Sequence, residues 1–442
     1  MKKIFLSLLF LVFIVGQARA SALSDAAASL SAGQWTVLTN SDMPGLDATS
    51  QKFYSGAPAP GPGYDATQPA WDSTAKKLYM EVTEHGAGNP GDCGNFPSDP
   101  HTCWKPLWTL NDATDTWTVD GAYPHYPNSN PVPGVHNYNM VAWDDVHQVM
   151  YVRAYWSGTA NVDFFRYCVN STPSYCATQG AAQWAQITSL FDAGDNCCEA
   201  LAYDATYNGG ALIYFTGAGA GGSCGAVYGF KEGTGWSTID SGPACKYSTN
   251  GYSVLNINSP IKGVTVFGGG GKHFWKLISA TGSIDALDDA PCDLGNTNNT
   301  FASVTADPVT GDIVAIGCTN AGQLWRLNPN AASGSQWSAV ASSLNGAGEI
   351  CNVARNTNNL CSLDFWATPI STYGVIAYWK YRAGSPSTAE LWIYKVADSD
   401  GGEPPPAAPA APSSLKISFG GFVRARTIAN LDARLKGKRL AR

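Results

Sequence analysis

Charge is scarce in this chain. Only 14% of its residues are Asp, Glu, Lys or Arg, and the formal net charge is −7. That balance excludes a nucleic-acid partner for the main body, because phosphate backbones are held by basic surface. Histidine is rarer still, at six copies, and no Cys-x-x-Cys or Cys/His spacing of a zinc site occurs. No metal and no cofactor is therefore expected. Long apolar runs are missing beyond the N-terminus, which excludes a membrane span. Helical periodicity is missing before the C-terminal tail, which leaves an all-β fold. There is no Gly-x-Ser-x-Gly elbow and no His-Glu-x-x-His. Gly268 to Gly271 follows a strand-like run with no helix after it, so it is not a phosphate loop.

What is present is glycine, aromatics and cysteine: 47 Gly, 15 Trp, 20 Tyr and 12 Cys in 442 residues. The chain opens with Met1-Lys2-Lys3, an apolar run from Ile4 to Val15, and Ala18-Arg19-Ala20. This predicts a signal peptide over residues 1–20 and an exported protein, extracellular or periplasmic. In that setting an even number of cysteines reads as disulfides. Close spacing pairs Cys93 with Cys103, Cys168 with Cys176 and Cys351 with Cys361, and leaves the other six open.

One short pattern recurs. A hydrophobic residue, an aromatic, any residue and a bulky apolar residue are followed by a turn and usually by Trp. It reads Leu107-Trp108-Thr109-Leu110 with Trp117, Val227-Tyr228-Gly229-Phe230 with Trp236, and Leu324-Trp325-Arg326-Leu327 with Trp337. Phe164 to Tyr167 with Trp184 is a looser copy, and Phe274 to Leu277 has no Trp after it. The last copy, Leu391-Trp392-Ile393-Tyr394, lacks its tail, and the missing piece stands at the other end as Trp35-Thr36-Val37-Leu38. Each pattern is preceded by two further strand-like runs separated by an Asp- or Gly-containing turn, as at Asp72, Asp144 and Asp204. A four-stranded unit repeating every ~50 residues predicts a β-propeller. The count is six blades, or seven if residues 39–63 hold another, although their Pro/Gly-rich composition reads as loop. The N-terminal strand closes the ring by pairing into the last blade, with Trp35 opposite Trp392.

The Phe267-Gly268-Gly269-Gly270 exit and the downstream aromatic pairs resemble kelch repeats over roughly residues 64–396. The expected domains are the propeller at 33–399, a Pro/Ala linker at 400–412 and a tail at 413–442. That tail carries eight Lys/Arg against one Asp, and it can attach to an anionic surface.

Antiparallel pairing puts the start of each first strand and the end of each second strand on one face of the disc, at the channel mouth. The residues falling there include His85, His136, Tyr138, Tyr155, Trp156, Glu199, Tyr252, Lys272, His273, Lys380 and Tyr381. Aromatics stack on sugar rings, and His and Lys bind hydroxyls and carboxylates, so the mouth suits an extracellular polysaccharide or cell-surface glycan. His85 and His136 would face neighbouring edges of it, and imidazole transfers protons near neutral pH.

The His136-Asn137-Tyr138 strand opening resembles that of propeller-fold polysaccharide lyases acting on uronic-acid polymers. That resemblance implies β-elimination, with His136 as base or acid, Tyr138 or Tyr155 as partner, and Arg153 or Lys272 neutralising the uronate. Arg153 also lies mid-strand where blades pack, which reads more readily as a buried structural arginine. Two functions stand side by side: a glycan-binding propeller and a polysaccharide lyase. A structural cell-surface protein is a third.

Overall fold

The middle strands of this chain are apolar on both faces, and that alone demands neighbours on both sides. In Ala211–Thr216 all six residues are buried. Leu212 and Tyr214 pack toward the preceding unit, while Ala211, Ile213 and Phe215 pack toward the following one. Period-2 alternation thus sorts one strand's side chains between two separate cores.

The computed structural model describes residues 22–38, 68–81, 106–122, 140–154, 161–181, 183–191, 199–216, 225–243, 246–247, 254–269, 271–291, 294, 303–316, 324–340, 365–382 and 388–396. Its strands form six four-stranded antiparallel sheets, a six-bladed β-propeller. From the inside outward, blade one is Ala70–Asp72, Lys77–Glu81, Pro106–Asn111 and Thr116–Ala122. Blade two is Val141–Asp144, Val149–Ala154, Asn161–Cys168 and Gln183–Phe191. Blade three is Glu199–Asp204, Ala211–Thr216, Ala226–Lys231 and Gly235–Asp240. Blade four is Val254–Ser259, Val264–Gly269, Phe274–Ile278 and Ile284–Ala286. Blade five is Ser303–Ala306, Ile313–Ile316, Leu324–Leu327 and Trp337–Ala339. Blade six is Phe365–Ile370, Val375–Arg382 and Thr388–Tyr394, with Trp35–Leu38 as its outermost strand.

The recurring Trp has one structural meaning. In the outer strand it stands opposite the last residue of the repeated pattern: Leu110 faces Trp117, Tyr167 faces Trp184, Phe230 faces Trp236 and Leu327 faces Trp337. In blade four Ile284 takes the Trp position opposite Leu277. The closing strand obeys the same rule, with Trp35 opposite Tyr394 and Val37 opposite Trp392. The expected Trp35–Trp392 pairing is therefore corrected by two residues. A shift of two keeps every side chain on its own face, so the inferred blade order survives it.

Six apolar cores lie at the six seams between blades rather than within them. The seam between blades six and one holds an element the sequence pattern did not reveal, helix α1 (Ala22–Ser29). Leu23, Ala27 and Leu30 are buried there against Leu78, Val375 and Ile393. Two leucines so buried contribute about 2 kcal/mol each. Eight residues are too few for a clear 3.6-residue stripe, and tertiary packing stabilises the helix. A second short helix, α2 (Ser174–Gln179), follows blade two's third strand and is tied to it by the Cys168–Cys176 disulfide. The other ten cysteines lie outside the described residues, as do residues 1–20 and 397–442.

The in-register aspartates are turn formers. Asp72, Asp144, Asp204 and Asp307 are buried where inner strands end. Each accepts backbone N–H groups two or three residues on, as Asp204 does from Thr206 and Tyr207. Two also reach the next blade. Asp72 accepts from Gln148, and Asp204 accepts from Thr265 and Ser279.

Candidate functional site

The strand register confirms the geometry that nominated the mouth face. Glu199 stands opposite Thr216, Val254 opposite Gly269, and Phe365 opposite Lys380. First-strand starts and second-strand ends therefore share one face. Of the candidates, His85, His136, Tyr138, Tyr155, Trp156 and Tyr252 lie outside the described residues. Lys380 and Tyr381 end blade six's second strand, opposite Phe365 and Ala389 respectively.

Lys272 and His273 form the hairpin between the second and third strands of blade four, and both are exposed. Sequence sets this hairpin directly. Gly268 has φ 145°, and a Cβ there would lie 2.5 Å from the His273 carbonyl oxygen, so the chain reverses only with glycine. The Ala290 amide donates to the Lys272 carbonyl at 2.8 Å and anchors the hairpin from behind. His273 Nδ1 meets the Asp289 carboxylate at 2.7 Å, which orients the ring of this exposed side chain. Trp275, 6.4 Å from the imidazole, is buried in the seam. The hairpin presents an ammonium and an imidazole to solvent.

Arg153 and Glu199 come together in a different environment. Their side chains are both fully buried, with Nη2 and Oε2 2.5 Å apart across the seam of blades two and three. Arg153 also donates from Nη1 to the Met140 sulfur at 3.1 Å. A charge pair taken out of water is held by its own geometry, and separating it leaves one charge uncompensated. Arg153 is thus committed to the seam, the buried placement that its mid-strand position allowed. Glu199 begins blade three's inner strand and is committed with it.

A central cavity of about 420 Å³ opens toward the opposite face, where the inner strands end. All six inner strands contribute, with Trp71, Trp143, Ile257, Pro260 and Pro369 among its lining. Its wall is mainly apolar. Sequence reasoning passed over it because its residues are turn and strand residues, individually unremarkable, that meet only when the ring closes. Among the described residues, no group of three or more His, Cys, Asp or Glu is placed to hold a metal ion. No helix among them is long and apolar enough to cross a membrane.

No protein-family model matches the chain, and no curated protein matches it. Solved structures do. An oligogalacturonate lyase from Vibrio parahaemolyticus is 9% identical, over 75% of this chain and 77% of that one, with a TM-score of 0.41. A Bacteroides thetaiotaomicron protein of unknown function is 10% identical, over 76% and 71%, with a TM-score of 0.42. TolB from Acinetobacter baumannii is 14% identical, with a TM-score of 0.35; 60% of this chain is matched, and it spans about half of TolB, 52%.

Proposed function

We propose that this protein is an exported propeller that binds extracellular polysaccharide at its channel mouth. The observation carrying this reading is the exposed Lys272–His273 hairpin on the face where all six inner strands begin. An ammonium and an imidazole side by side suit a carboxylate-bearing sugar, and loops on a rigid ring are where binding residues concentrate. Arg153 favours binding over β-elimination, since the cation nominated to neutralise a uronate is enclosed with Glu199. Export is supported by the charged and apolar start of the chain and by the Cys168–Cys176 disulfide, which suits an oxidising compartment. The basic residues of 413–442 would then hold the propeller to an anionic surface.

Affinity electrophoresis through polygalacturonate, alginate and neutral dextran tests the reading. Retardation by an acidic polymer that Lys272→Ala and His273→Ala together abolish is the expected result. Equal mobility in all three gels refutes it. Ultraviolet absorbance by an unsaturated product in the same mixtures would instead return the lyase reading.

A further inference from the structure

The seam between blades two and three differs from the others. Where the seam of blades four and five is filled with aliphatic and aromatic residues, this one leaves a cavity of about 170 Å³ on the face opposite the mouth. Its lining sets the polar side chains His147, Tyr151, Tyr175, Tyr203, Lys231 and Glu232 beside the apolar Leu212 and Phe230. The polar ones come from five separate places in the chain. His147 lies in the first turn of blade two, Tyr151 on its second strand, and Tyr175 on α2. Tyr203 is on blade three's inner strand, and Lys231 and Glu232 are at the start of its outer turn. The Cys168–Cys176 disulfide holds α2, and with it Tyr175, in place.

Every charge in the wall already has a partner. Glu232 is bridged by Arg166 at 2.7 Å and accepts from the Tyr151 hydroxyl at 3.4 Å. Arg166 lies over the Tyr175 ring, 4.7 Å from its centroid, and donates to Gln179. Asp144 accepts from the Val146 and His147 amides and holds His147 Nδ1 at 2.6 Å. Lys231 donates to the Asn208 carbonyl at 2.6 Å. Two carboxylates stand against Arg166 and Lys231, so the site has no net charge to offer an ion. It offers hydroxyls, an imidazole nitrogen and aromatic rings. Tyr151 and Tyr203 are parallel, 8° apart with centroids separated by 5.8 Å. Burial pushes the Tyr175 phenol up to about 12 and raises those of Tyr151 and Tyr203 as well, so all three remain hydroxyl donors.

We infer that this seam is a second ligand site, separate from the channel mouth, that takes one neutral sugar ring. Its size admits a single six-membered ring and not a drug-sized ligand. Phenol hydroxyls and an imidazole suit a polyol, and the half-buried Tyr203 ring, backed by the buried Tyr151 stacked on it, gives a flat apolar wall for the C–H face of a pyranose. A uronate is disfavoured, because Glu232 lines the same space and Arg166 is already paired with it. The site does not depend on the mouth reading.

The test is saturation-transfer NMR and titration calorimetry of the full chain with methyl glycosides of glucose, galactose, mannose and xylose, and with glucuronate and galacturonate as controls. Saturable binding of at least one neutral glycoside and none of the uronates is expected. Tyr175→Phe and His147→Ala should each weaken it about tenfold, the loss of one hydrogen bond. Lys231→Ala, at a partly exposed position, should weaken it too without any effect on the thermal midpoint. Lys272→Ala should leave it unchanged, which separates this site from the mouth. No saturable binding by any neutral glycoside overturns the inference. So does unchanged affinity in all three seam variants with their melts intact.

Discussion

Trp35 and Tyr394 lie directly opposite one another in the closing strand pair, ring centroids 4.2 Å apart and planes 25° from parallel. Tyr378 stands beside them, 4.9 Å from Trp35. Trp35→Ala should therefore cost about 2 kcal/mol, below the full core value because Trp35 is only half-buried. Deleting residues 22–38 removes α1 as well and uncovers the edge of Thr388–Tyr394. Urea unfolding should show a far larger loss for the deletion than for the point change, while truncation after Pro404 leaves the midpoint where it was.

The buried pair of Arg153 and Glu199 makes a sharper prediction. Glu199→Gln should destabilise by about 3 kcal/mol, because it strands a guanidinium in the seam. Arg153→Met combined with Glu199→Leu should recover most of that loss. Chemical denaturation of the three variants checks it. A double variant no better than the single one would mean that the pair is needed for more than its own neutralisation.

Stability should also carry an acid-sensitive component at Asp240. Desolvation pushes its carboxyl up, but the Tyr247 hydroxyl at 2.6 Å, the Gly242 amide at 2.8 Å and Lys246 at 3.0 Å together hold it below the ordinary value of 3.8. A depressed folded-state value stabilises the fold above the unfolded-state value, and the benefit is lost as pH falls through the folded one. Asp240→Asn should be less stable than wild type at neutral pH. The two urea midpoints should converge once the solution is well below the unfolded carboxyl range.

Asp204 ties a turn and a seam at once, accepting from Thr206, Tyr207, Thr265 and Ser279. Asp204→Ala leaves several of those donors buried without an acceptor and should cost about 3 kcal/mol. Val146→Ala, at an exposed position in the equivalent turn of blade two, should cost far less. Thermal melts of the two variants give the comparison.

The ring and its closure were legible because the repeated pattern is written in large side chains at constant spacing. Trp117, Trp184, Trp236 and Trp337 mark outer strands wherever they occur. Blade four was harder, since Ile284 does the same job without looking like it. The two-residue error at Trp35 has a physical origin. Period-2 strands tolerate a slip of two without moving a side chain to the wrong face, so hydrophobic pattern alone does not distinguish Trp392 from Tyr394 as its partner. Helix α1 escaped because Leu23, Ala27 and Leu30 make one stripe too short to separate from chance. The seam cavity of blades two and three escaped for a different reason. His147, Tyr175, Tyr203 and Glu232 lie far apart in sequence, and no local motif announces them.

Closure by a strand from the opposite terminus also sets an order of events in time. Trp35 is made early, and Tyr394 is made 359 residues later, the difference of the two positions. Until then the first strand has both edges free, and each growing blade offers it a wrong edge to join. Contacts spanning so much chain form slowly, since the loop must close before they contribute. The last ladder to zip is therefore the one that locks all the others, and a growing chain cannot contain it before Tyr394 has been made.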